Sequence, residues 1–162
     1  MPLPSEHANE LSQRFAKANA GLIAFVTGCS DEQLALICPG VDQTVVALAY
    51  HLASHYPHQL HWLRRVASGK PVTTEWEEIH TVNARQFVEH PAPSRTETLA
   101  LLAANGNEMT AAISALSDEQ MKASATVAPA ENRVLTAEQV VRWLIVHHIK
   151  DHMKSMRAAI GE

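Results

Sequence analysis

Apolar residues recur along the chain at intervals of three and four, the repeat of a helix face, and the breaks fall at Pro, Gly and Ser/Thr-led turns. A first helix is predicted from Ser5 to Val26, turning Leu11, Phe15, Leu22 and Ile23 inward and stopping near Gly28. The connector from Gly28 to Asp42 contains Ser30-Asp31-Glu32-Gln33, in which Ser30 and Gln33 can cap each other's amides, and it ends at Pro39-Gly40. A second helix is predicted from Asp42 to Ser68, closing at Gly69, with a kink or brief interruption at Pro57, which has no N–H to give. A shorter helical segment runs from Thr74 to His90, acidic at its start, where the helix dipole favours acids, and is terminated by Pro91 and Pro93. Ser94-Arg95-Thr96-Glu97 reads as a second capping box, opening a helix to Leu116. Gly106 in its interior costs about 1 kcal/mol relative to Ala. Thr126 to Leu135, with Pro129, reads as an irregular loop, and Thr136-Ala137-Glu138-Gln139 caps a last helix to Ile160.

No run of alternating β-branched residues competes with this pattern. The predicted fold is all-α: a single domain over residues 1–162, a four-helix bundle with a short additional helix between its second and third principal helices. At 162 residues the chain is long enough to bury about 70% of its unfolded surface without covalent staples. Ser30-Asp31-Glu32-Gln33-Leu34 recurs as Ser117-Asp118-Glu119-Gln120-Met121, each after a long helix. The echo is either shared capping grammar or a sign of two related helical pairs.

Cys29 and Cys38 match neither a CxxC motif nor a zinc-ribbon spacing, and are expected to be reduced thiols of a cytoplasmic protein. The opening Met-Pro-Leu-Pro-Ser-Glu-His shows no charged leader before an apolar run, and no stretch approaches the ~18 apolar residues of a membrane span. A net charge of −4 with scattered basic residues gives no footprint for nucleic acid. A homodimer is the default expectation for exposed apolar helix faces.

The chemistry lies in the histidines. At about 100° per residue, taking His148 as zero, Val141 falls at about +20°, Leu144 at about −40° and His152 at about +40°, with Lys150 and Lys154 on the other side. His148 and His152 therefore share the inward side, and His147 belongs to the flank. On the second helix His51 lies on the apolar stripe with Leu48, His55 and Trp62. Three imidazoles turned into one bundle point to a metal site, since neutral imidazole binds several transition metals at ~2.0–2.1 Å. His55, one turn from His51, is a candidate fourth ligand or a catalytic assistant. Asp151 is a candidate base or a residue that orients an imidazole. His7, His58, His61, His80 and His90 are expected at the surface or at caps. Trp62, Trp76 and Trp143 are expected in packing or subunit contacts, and Asn83 in a cap, an interhelix bond or a ligand contact.

The run Thr44-Val45-Val46-Ala47-Leu48-Ala49-Tyr50-His51-Leu52-Ala53, taken with His148-Ile149-Lys150-Asp151-His152-Met153, resembles the DinB/YfiT-like family over nearly the whole chain. The resemblance implies a four-helix bundle holding one divalent metal, often nickel or zinc, on three histidines. One comes from the second helix and two from the last, here His51, His148 and His152. It also implies a metal-dependent transferase or hydrolase acting on a small-molecule substrate, with a low-molecular-weight thiol as co-substrate in some relatives. The sequence departs from the family's commoner pattern at Ile149 and Asp151. Three protein ligands leave coordination positions open, which suits hydrolysis or thiol transfer. A closed site would instead mark a non-catalytic metal-binding or partner-binding bundle. His148-x-x-Asp151-His152 is superficially like an inverted zinc-peptidase motif, but that motif needs a further downstream ligand and the sequence ends at Glu162.

Overall fold

The computed structural model describes residues 5–162; residues 1–4, part of the opening stretch read as leaderless, lie outside the described residues. The long helices are α1 (Glu6–Gly28), α3 (Val45–Ala67), α5 (Arg95–Ser114) and a composite last helix. That last helix begins as α7 (Ala137–Gln139), passes through a π-helical segment (Val140–Val146) and continues as α8 (His147–Ala159). Together they form the predicted four-helix bundle, and α4 (Trp76–Glu89) is the additional helix between the second and third of them. Short helices α2 (Asp31–Leu34) and α6 (Asp118–Lys122) occupy the two echoing segments. Each is opened by a complete capping box and each buries an apolar residue, Leu34 or Met121. No described helix is long and apolar enough to cross a membrane.

Phe15, Leu22, Leu48, Leu63, Leu102 and Ile145 lie in one buried cluster to which all four principal helices contribute. The C-terminal end of α1 carries no basic residue of its own. Arg95, from the start of α5, donates to the carbonyls of Val26, Thr27 and Cys29 and to Asp31 Oδ1, closing that end. Both cysteines are free and buried, and burial pushes the Cys38 thiol up to about 11.

The structure corrects three expectations. The stretch read as an irregular loop is a small antiparallel hairpin, β1 (Ser124–Val127) with β2 (Arg133–Thr136), whose turn places Glu131 and Asn132 at φ of 58° and 59°. Four-residue strands carry too little alternation to register in sequence. They are fixed by burial of Ala125, Val127 and Leu135 and by backbone bonds between this hairpin and Val72. Ser94 caps α5 by accepting from Glu97 N at 3.0 Å, but the return bond that would complete a capping box is not among those formed.

The third correction concerns Pro57, which sits inside α3 without the brief interruption offered as the alternative to a kink. Proline at this position leaves the carbonyl of Ala53, four residues earlier, without its helical donor. Asn105 of α5 supplies one, its Nδ2 donating to Ala53 O at 2.9 Å. Asn105→Ala is therefore expected to destabilise the fold by about 1–3 kcal/mol, the cost of an unpaired buried carbonyl, and to cost less in a Pro57→Ala background. Denaturant unfolding of both single variants and the double variant checks this coupling.

Candidate metal centre

The centre is built from α3 and α8 and flanked by α4. On α3, His51 and His55 are buried at 5% and 8% exposure. On α8, His148 and His152 are half-buried beside the fully buried Ile149. The π-helical segment ends immediately before them, His147 N donating to the carbonyl of Arg142 five residues back. Val140, Val141, Ile145 and Val146 are buried along this segment, and α8 presents His148 and His152 to His51 of α3.

One nitrogen from each of His51, His148 and His152 lies within 4.8 Å of the other two. The Nε2 atoms of His148 and His152 are 2.9 Å apart, close to the ~3 Å expected of two imidazole nitrogens that each sit ~2.0–2.1 Å from one ion. His55 stands next to this group, its ring 5.4 Å from that of His148 and 5.5 Å from that of His51, but it is not one of the three whose nitrogens converge. Asp151 points elsewhere. Its carboxylate is 62% exposed and sits 3.2 Å from His147 Nε2 on the outer flank.

Two glutamines orient the imidazoles, and sequence reasoning missed both. Gln86 of α4 lies with its Oε1 3.0 Å from His51 Nδ1; that oxygen can only accept, so Nδ1 carries the proton and Nε2 keeps its lone pair. Phe87 stacks on the same ring at 5.2 Å. Gln59 donates from Nε2 to Leu144 O at 2.7 Å and lies 3.1 Å from His148 Nδ1, while its own Oε1 is buried without a partner. Gln59 Nε2 donates, so His148 Nδ1 accepts here; ligation through His148 Nε2 puts the proton on Nδ1 and requires the Gln59 amide to turn its unpartnered Oε1 to the ring, giving up the bond to Leu144 O. Gln59 was legible as the i+8 member of a buried polar stripe with His51 and His55 on α3. Gln86 was not, because only tertiary packing brings α4 over His51.

Burial holds all four imidazoles below their ordinary range, His55 to about 3 and His152 to about 4, with neighbouring imidazoles adding to the effect at His55, His148 and His152 and the Gln86 hydrogen bond opposing it at His51. They are therefore neutral near pH 7 and able to donate electron pairs to a cation. The donor set fits a single divalent transition metal. Linkage gives a stability prediction for the chelator-stripped protein. Below about pH 6.5 the unfolded chain takes up protons that the folded histidines refuse, so this contribution is complete above about pH 6.5 and is lost as pH falls toward 4. Urea unfolding at pH 7 and pH 5 should give a lower midpoint at pH 5, and a His55→Leu variant should lose less between the two.

Beside the centre, between α3 and α4, lies a pocket of about 350 Å³ bordered by His55, Trp62, Thr74, Glu78, Ile79 and Asn83. His58 and His61 are exposed at its edge, and Trp62 packs edge-on against His55 at 5.4 Å. Of the remaining sequence candidates, His80 stacks on Trp76 at the surface, His90 caps α4 against Tyr50, and His7 pairs with Glu138.

The family model of the DinB superfamily matches residues 14–155. No curated protein matches the chain. Among solved structures, the chain is similar to YfiT from Bacillus subtilis, described as a probable metal-dependent hydrolase with an unusual four-helix bundle topology. The TM-score is 0.76 at 20% identity, covering 98% of this chain and 90% of that one. It is similar to the sibling lethal factor precursor DfsB, with a TM-score of 0.71 at 18% identity over 93% of each chain. An uncharacterised protein from Clostridium difficile 630 gives a TM-score of 0.72 at 18% identity over 95% of each chain. At these identities the likeness establishes the shared fold.

Proposed function

The chain belongs to the DinB superfamily, and from that premise we propose that it is a metal-dependent hydrolase of a small molecule, with His51, His148 and His152 as the protein ligands of one nickel or zinc ion. The observation that carries the reading is the convergence of these three neutral imidazoles beside a pocket of small-molecule size. Held by these three imidazoles, such an ion would supply Lewis-acid chemistry toward water or a substrate thiol.

The surrounding residues have separate tasks. Gln86 and Gln59 fix the ring orientation of His51 and His148. Gln86→Ala is expected to weaken metal binding by about 10–100-fold without unfolding the bundle, measured by competition with a chromophoric chelator. His55 borders both the pocket and the ligand group. An imidazole held down to about 3 is a poor proton acceptor at neutral pH, so its role is to hydrogen-bond and position substrate. Asp151, exposed and turned to His147, acts only through its field, which favours the protonated form of His152.

The test is a screen of small esters and amides, with and without an added low-molecular-weight thiol, using protein stripped of metal and then reloaded with nickel or zinc. Turnover that follows metal occupancy, and that falls in His55→Ala while metal content stays unchanged, supports the reading. Full metal occupancy with no turnover on any substrate would move the protein to the class of non-catalytic metal-binding bundles.

A further inference from the structure

On the opposite flank of α8 from the histidines, α1 and the last helix enclose an open groove of about 960 Å³. Its floor is apolar, formed by Leu11, Ala18, Val146, Ile149 and Met153. Its rims are basic. Arg14 and Lys17 line the α1 side, and Arg142, Lys150, Lys154 and Arg157 line the other. These are six of the 13 Lys and Arg residues in a chain whose net charge is −4, gathered along one groove that holds a single acidic residue, Glu162. Arg142 pairs with Glu138 and Arg157 with Glu162, while Arg14, Lys17, Lys150 and Lys154 have no ion-pair partner among the described residues.

We propose that this groove docks an acidic amphipathic helix of a partner protein. Lys150, Lys154 and Arg157 follow the i, i+4, i+7 repeat and so form a row about 10 Å long at about 1.5 Å per residue, matching carboxylates placed one turn apart on a neighbouring helix. Arg14 and Lys17 offer the same one-turn step on the facing rim. An occupant that meets both rows carries acidic residues on both flanks of an apolar stripe, and that stripe packs on the part-exposed Ala18, Met153 and Trp143, the helix-in-groove mode of recognition. Trp143, 47% exposed at the groove, supplies an aromatic anchor.

Other occupants fit less well. A self-complementary contact with a second copy would set one cation row against another. A nucleic acid would satisfy the cations and leave the apolar floor uncovered. A lipid surface is met by several protruding apolar residues, whereas at this groove Trp143 alone is an exposed large apolar residue and Leu11 and Ile149 are recessed at 1% exposure.

The test uses the full chain and two fluorescein-labelled helical peptides with the same leucine face, one flanked by Glu and the other by Lys, read by fluorescence anisotropy. The Glu-flanked peptide should bind saturably and the Lys-flanked one should not. Lys150→Glu/Lys154→Glu should weaken the first more than about tenfold and gain the second, since reversing the rim reverses the charge read there. Lys17→Glu, on the other helix, should weaken the first peptide independently, and circular dichroism should show each variant as helical as the parent. Absence of saturable binding by the Glu-flanked peptide, equal binding of both peptides, or binding to phosphatidylglycerol vesicles with none to the peptide would overturn the proposal.

Discussion

His148→Ala should cost the protein about a hundredfold or more in affinity for nickel or zinc. Structural zinc sites with four ligands bind with about 10–16 kcal/mol, so one ligand carries roughly 3 kcal/mol. His148 also lies at the crossing of the network, 2.9 Å from His152 Nε2 and 3.1 Å from Gln59 Nε2, so its loss removes one of the three proposed ligands and frees two neighbours. His147→Ala is the matched control. Its ring is 64% exposed and pairs with Asp151 on the outer flank, and its removal should leave metal affinity unchanged. Chelator competition on the two variants separates a built site from histidine-rich stickiness, which would give them equal losses.

Gly106→Ala should lower stability, against the direction helix propensity gives. In an exposed helix the change would gain about 1 kcal/mol. Here an added Cβ would overlap Asn19 Nδ2 and lie 3.0 Å from Asn19 Cγ. Asn19 cannot swing away freely, because it is buried, its Nδ2 donates to Leu102 O at 3.0 Å, and its Oδ1 accepts from Tyr56 OH at 2.8 Å. Moving it leaves those groups unpaired in the core, beside the edge-on contact of Phe15 with Tyr56. A net loss of about 2–3 kcal/mol, seen as a drop in Tm of roughly 5–10 °C, is expected. A rise in Tm would mean that α1 and α5 are less closely packed at this point than the structure shows.

Gly106 also marks where sequence reasoning reached its limit. Its cost to the helix was legible, but the reason for it was not, since Asn19 belongs to α1 and arrives only through the packing of α1 on α5. The same division holds elsewhere. Capping at Ser30, Ser117 and Thr136 depends on neighbours three residues apart and formed as read. The inward faces of α3 and α8 follow from helical repeat alone, which is why His51, His148 and His152 could be placed together before any coordinates. A uniform step of about 100° turns Val146 about 160° from His148, and Val146 lies there, buried at 8% in the floor of the groove on the flank away from the histidines. The hairpin at residues 124–136, the Asn105 bond that lets α3 pass through Pro57, and Gln86 over His51 all depend on partners far away in sequence. Those long-range pairings set the orientation of the imidazoles, whereas local pattern set which imidazoles were available.

The central claim is that three imidazoles hold one divalent metal with coordination positions left open. X-ray absorption on chelator-stripped protein reloaded with one equivalent of zinc tests it most directly. The expected result is three imidazole scatterers at ~2.0–2.1 Å together with one or two light non-imidazole scatterers. A fourth imidazole in the shell, or protein that retains no zinc after reloading, would contradict it.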